Sequence, residues 1–152
     1  MRIAAVDRGV NLLAGEGTSV HSRWSEWICY DTHLLYIKDA GGDYFYNKNS
    51  KSYDKWHSGA SYILTDRVNQ YGKGTYTLTV DMKADRACPC GVGLTVNGAL
   101  TEKTANLTTA WKTYTFTFTV SQDQVNNAAL LIMTKVENSG IAFRNPTLVH
   151  KK

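Results

Sequence analysis

The chain has 152 residues, with 43% hydrophobic and 20% charged side chains. That is enough to bury a core, and it excludes a disordered or low-complexity protein. Seventeen Lys and Arg against 13 Asp and Glu give a formal charge of +4 and a pI near 8.9. No Lys/Arg block traces a phosphate backbone, so nucleic acid is not an expected partner. Apolar runs fall well short of the ~18 residues that span a bilayer, so no membrane partner is expected either. The opening Met1-Arg2-Ile3-Ala4-Ala5-Val6-Asp7-Arg8 meets charge before a signal-peptide apolar region can form. The expected setting is extracellular as part of a larger protein, or a virion, with no signal peptide in this chain.

In chain order the pattern is one of short strands and turns. Strands are expected at 28–37, 43–46, 60–65, 74–84, 91–96, 111–120, 128–136 and 140–149. Two show strict alternation. Tyr76, Leu78, Val80 and Met82 oppose Thr75, Thr77, Thr79, Asp81 and Lys83; Tyr114, Phe116, Phe118 and Val120 oppose four threonines. Such segments have one buried and one wet face, as in an antiparallel sheet. The 128–136 run, AALLIMTKV, is apolar on both faces and belongs mid-sheet. Asn97-Gly98 is a two-residue hairpin turn. No helix of useful length is expected. Eight to ten strands without crossover helices predict a single antiparallel β-sandwich domain over 1–152, core about 11–149, of jelly-roll (galactose-binding-like) type. Its core should contain Tyr76, Leu78, Val80, Met82, Tyr114, Phe116, Phe118, Leu130, Ile132 and Phe143.

Little here looks catalytic. Nucleophile-elbow, Walker and dinucleotide motifs are absent, and His21, His33, His57 and His150 have no metal-ligand spacing. Glu occurs only at 16, 26, 102 and 137, few candidates for a glycosidase's paired carboxylates. The expectation is a protein that is not an enzyme. Cys29, Cys88 and Cys90 are read as reduced thiols, because Cys88-Pro89-Cys90 suits neither an easy disulfide nor a zinc knuckle.

Aromatic residues are more informative. Most in the first half fit core packing, but Trp56 and Tyr71 lie in turns with polar or glycine neighbours. A rigid ring held at a surface stacks on the apolar face of a sugar ring, while polar neighbours bind its hydroxyls. Trp56 and Tyr71 are therefore candidate platforms. Lys83 and Glu137 are candidate hydroxyl partners, being polar-facing or strand-end positions in apolar runs. Such rings equally suit a protein interface.

The segments Asn11-Leu12-Leu13, Ser61 to Arg67 with Tyr71-Gly72, Gly74 to Ala84, Trp111 to Val120 and Ile141 to Val149 together carry a resemblance. Over almost its full length the chain resembles the β-sandwich carbohydrate-binding modules of families 4, 9 and 22. That resemblance implies a non-catalytic module for a β-glucan or xylan-like polysaccharide, or a cell-surface glycan, and adds Arg67 to the candidate site. Tyr71 stands where the xylan-binding pattern has Trp, and Lys135-Val136-Glu137 loosely matches its Tyr-x-Glu. Asn145 occupies the place of an Asp that helps hold a structural calcium in many members. Val10-Asn11-Leu12-Leu13-Ala14-Gly15 with a Trp-rich stretch also resembles sandwich modules of bacteriophage tail, baseplate and capsid-decoration proteins. On that alternative the partners are other virion proteins.

Overall fold

The structure, a computed structural model, describes residues 10–13, 23–26, 33–48 and 59–152. These residues form an antiparallel β-sandwich of jelly-roll type. One sheet is ordered β1 (Ser25–Glu26), β4 (Gly59–Ile63), β9 (Ala128–Thr134), β6 (Cys88–Val96), β7 (Ala99–Leu107). The other is ordered β2 (Leu35–Ile37), β3 (Tyr44–Asn47), β10 (Ile141–Lys151), β5 (Gly74–Ala84), β8 (Lys112–Val120). The two are called here the β9 sheet and the β5 sheet.

Alternation sets the register. Leu78 pairs with Phe116 and Leu148, and Tyr76 with Phe118, so their shared face turns inward. All ten predicted core residues are buried except Tyr114, which is half-buried. Its ring only flanks the core, because its hydroxyl donates to the Asn106 carbonyl at 2.9 Å across the sandwich edge. As its two-sided apolarity predicts, β9 is the central strand of its sheet. At the β6–β7 turn, Asn97 (φ 51°) and Gly98 (φ 85°) both adopt positive φ, as a two-residue hairpin loop requires.

Two elements depart from expectation. Thr65–Tyr71, placed in a strand end and a loop, forms a two-turn helix, α1. It buries one residue, Val68, so no amphipathic period could announce it. β7 is implied only by the Asn97-Gly98 hairpin turn, and no strand is assigned over its residues from the sequence. It is an edge strand in which mainly Ala105 and Leu107 face the core. The predicted strand 28–37 is observed only as Leu35–Ile37, its earlier residues lying partly outside the described ones.

In β10, Arg144 pairs with Asp81 and Thr147 with Thr79, so two residues, Asn145 and Pro146, face the single residue Val80. This bulge puts Asn145 at φ 53° and places Pro146, which has no N–H, where no ladder bond is made. Its consequence reaches the outer face of the sheet.

Three carboxylates brace the frame. Asp66 accepts a bidentate pair from Arg23 at 2.8 and 2.9 Å. Asp81 accepts the Thr113 hydroxyl at 2.6 Å, and Asp43 the Asp39 backbone N–H at 3.0 Å. These contacts hold all three below the ordinary value of 3.8. A lowered folded-state pKa gives stability that is complete above the unfolded value and lost as pH falls through the folded ones. Thermal melts should therefore show a constant midpoint from neutral pH to about 5 and a progressive drop below 4. A midpoint unchanged down to pH 2 would contradict these contacts.

Candidate functional site

The sequence-predicted residues do not come together. Arg67, on α1, donates through Nε to the Leu12 carbonyl at 2.9 Å and contacts Asp66. Tyr71, at the end of α1, is half-buried against the core, 5.8 Å from the His150 ring. Both tie the helix to the sandwich. Glu137 is exposed between β9 and β10, where its backbone carbonyl accepts from Arg86 at 3.0 Å. Trp56 lies outside the described residues. Lys83 sits on the wet face of the β5 sheet, near the opposite end of β5 from Tyr71.

Around Lys83 the sequence is brought together from four strands. Pairing of Phe45 with Phe143 turns Tyr44 and Tyr46 outward, and pairing of Ala142 with Lys83 puts both on that same face. Trp111 immediately precedes Lys112, which pairs with Met82, so Trp111 enters the sheet beside Lys83. The Tyr44 and Trp111 rings meet edge to face, centroids 5.4 Å apart at 70°. Lys83 Nζ lies 5.0 Å from the Trp111 centroid and 5.7 Å from that of Tyr44. The Arg144 guanidinium lies 4.0 Å from the Trp111 centroid, close enough for cation–π attraction.

The bulge fixes the polar side of this group. Arg144 Nη1 donates to the Gly41 carbonyl at 3.2 Å, while its Nε is buried without a hydrogen bond, 4.0 Å from Asp81 Oδ2. Asn145 donates to Asp81 Oδ2 at 3.1 Å, and Thr113 to Oδ1. Lys83, Arg144 and Asp81 thus surround two half-exposed rings on a flat, wet sheet. Beyond them the face continues in threonines: Thr79 opposite Thr115, Thr77 opposite Thr117, Thr75 opposite Thr119.

The outer face of the β9 sheet is different. Its outward Leu131 and Met133 are buried, Gly91 and Gly93 carry no side chain, and Glu102 is paired with Lys135 at 3.1 Å. Among the described residues it presents no half-exposed ring.

Asn145 donates to one carboxylate, Asp81, and among the described residues no three His, Cys, Asp or Glu side chains gather. Calcium takes six to eight oxygens. The described residues around Asn145 do not make a calcium cage. Cys88 and Cys90 are free thiols; burial pushes the Cys90 thiol up, and its Sγ contacts the Met133 carbonyl at 3.4 Å.

Sequence reasoning found Lys83 but missed Tyr44, Trp111 and Arg144 as neighbours. The signal available was the Asn145-Pro146 pair, which marks a bulge and hence a re-aimed Arg144.

A two-sheet sandwich carrying rings and polar groups on a wet sheet face defines a ligand-binding module. The chain belongs to the carbohydrate-binding domain family CBM_4_9, whose model matches residues 19–140. It is a non-catalytic carbohydrate-binding module. Among solved structures it is similar to a family 4 carbohydrate-binding module, at 25% identity and a TM-score of 0.62, covering 84% of this chain and 86% of that one. It is also similar to the CBM22-1 xylan-binding domain of Paenibacillus barcinonensis Xyn10C (13% identity, TM-score 0.65, 90% of each chain). A putative sugar-binding protein of Bacteroides thetaiotaomicron matches at 14% identity and a TM-score of 0.64, over 94% of each chain. No curated protein matches. The virion alternative draws no support from the family match.

Proposed function

We propose that this module binds a β-glucan or xylan-like chain on the outer face of the β5 sheet, by stacking on Trp111 and Tyr44. The carrying observation is the pair of rings 5.4 Å apart with Lys83 beside both. Sugar C–H faces pack on such rings, and Lys83 and the Tyr44 hydroxyl serve as hydroxyl partners. Membership of a carbohydrate-binding family and likeness to a xylan-binding domain support the glycan class.

Affinity electrophoresis in gels containing xylan, barley β-glucan or an unrelated starch control tests the reading. Retardation by xylan or β-glucan, and none by starch, is the expected result. Unretarded migration on every glycan would refute it.

A further inference from the structure

We propose that the Lys83 face selects glycans bearing carboxylates, such as uronate-substituted xylan, over their neutral counterparts. The inference rests on the glycan reading above and deepens it.

Consider first where the described cations find their anions. Arg23 and Arg67 share Asp66, Lys38 is 3.0 Å from Asp43, and Lys135 is 3.1 Å from Glu102. Arg144 has Asp81 at 4.0 Å. Lys83 is half-buried near one end of the sheet face, yet it has no hydrogen bond or ion pair with any described residue. Its ammonium is held only by the two rings. Other lysines without an ion pair, Lys48, Lys103 and Lys112 among them, are exposed, although Lys112 Nζ lies 5.8 Å from the Tyr114 centroid. A half-buried ammonium has lost part of its water and gains most from an anion arriving on the ligand.

The acceptors of the face point the same way. Asp81 has both oxygens occupied, by Thr113 and by Asn145, and Asp85, two residues beyond Lys83, accepts the Tyr46 hydroxyl and the Gly140 N–H on Oδ2. Neither carboxylate bonds Lys83, whose ammonium stays without an anion beside the rings. A neutral sugar hydroxyl meets this ammonium with a partial charge alone. A carboxylate accepts from donors alone and brings the missing charge. The proposed ligand is therefore a pyranose chain whose ring stacks on Trp111 or Tyr44 while a uronate carboxylate meets Lys83.

The test compares glucuronic-acid-substituted xylan with the same polymer after chemical reduction of its carboxyl groups, in affinity gels at low and high salt. Wild-type protein should bind the carboxylated form roughly three- to tenfold more tightly, the range for a charge-assisted contact at a partly exposed site. Raising salt to about 0.5 M should erase the difference, because screening shortens the reach of the charge. Lys83→Met keeps the apolar stem and should bind both forms alike, while Lys112→Met, an exposed neighbour, should keep the preference. Circular dichroism and a melting curve confirm that each variant folds. Equal binding of both polymers by wild type would overturn the inference and leave the glycan reading standing. So would a preference that survives Lys83→Met or disappears equally in Lys112→Met. No retardation on either polymer would instead sink the glycan reading itself.

Discussion

Gly59→Ala should cost at least about 3 kcal/mol, a large share of the ordinary 5–15 kcal/mol by which a domain is stable. Gly59 opens β4 at φ 150° and pairs with Met133. A Cβ there would stand 1.8 Å from the Ile132 carbonyl oxygen and 2.9 Å from its carbon. Both atoms belong to the backbone of the central strand, so no side-chain rotation can relieve the overlap. Relief requires β4 and β9 to separate, and with them the Tyr62–Leu130 and Ala60–Ile132 pairs that build the core. Gly98→Ala supplies the contrast. It also has positive φ, but nothing lies within 4 Å of its Cβ position, so only about 1 kcal/mol of backbone strain is expected. Thermal melts should place Gly98→Ala a few degrees below wild type and Gly59→Ala roughly ten degrees or more below it. A Gly59→Ala protein melting within a few degrees of wild type would show that the β4–β9 contact is looser than described.

The sandwich was legible wherever a strand has one dry face. In β5 and β8, period-two alternation gives strand, face and core residues at once, because each apolar side chain meets another across the register. β7 was not legible, since an edge strand with so few inward residues carries almost no apolar signal. α1 failed for a related reason: seven residues with one buried side chain hold no measurable period. β10 shows a subtler limit. Ile141 and Phe143 face inward before the bulge and Leu148 after it, so the inward parity changes from odd to even positions. No single alternation can describe such a strand.

The candidate site was harder to read because its residues are distant in sequence and each has an ordinary role when taken alone. Trp111 reads as the start of a strand, Tyr44 as a core aromatic and Arg144 as a strand charge. Only the order β3-β10-β5-β8 brings them onto one face. Lys83 could be singled out as a charge in phase on the wet side of an alternating, otherwise largely apolar and threonine-rich segment. Arg67 and Tyr71 sit beside a glycine turn, which suggested exposure, but α1 turns them toward Leu12 and His150.

Trp111→Ala should remove roughly 1–3 kcal/mol of glycan binding, a drop of about five- to 150-fold, as for other aromatic anchors. Trp111 is half-exposed and precedes β8, so its ring contributes to a surface rather than to the core. Arg144 would lose the ring 4.0 Å away but keep the Gly41 carbonyl and Asp81. The expected stability change is accordingly no more than about 1 kcal/mol, the size of a cation–π contact at a surface. Tyr71→Ala should do the reverse. Its ring packs against the core and His150, so the melting midpoint should fall while binding by the folded protein stays intact. Affinity gels and melts on the two variants side by side separate the roles. Should Trp111→Ala bind normally and Tyr71→Ala fold normally without binding, the glycan would lie at the α1 end of the sandwich, and the β5 face would be a scaffold. Trp111→Phe gives the finer measure: it retains an apolar ring of smaller area, so its binding should fall between alanine and wild type.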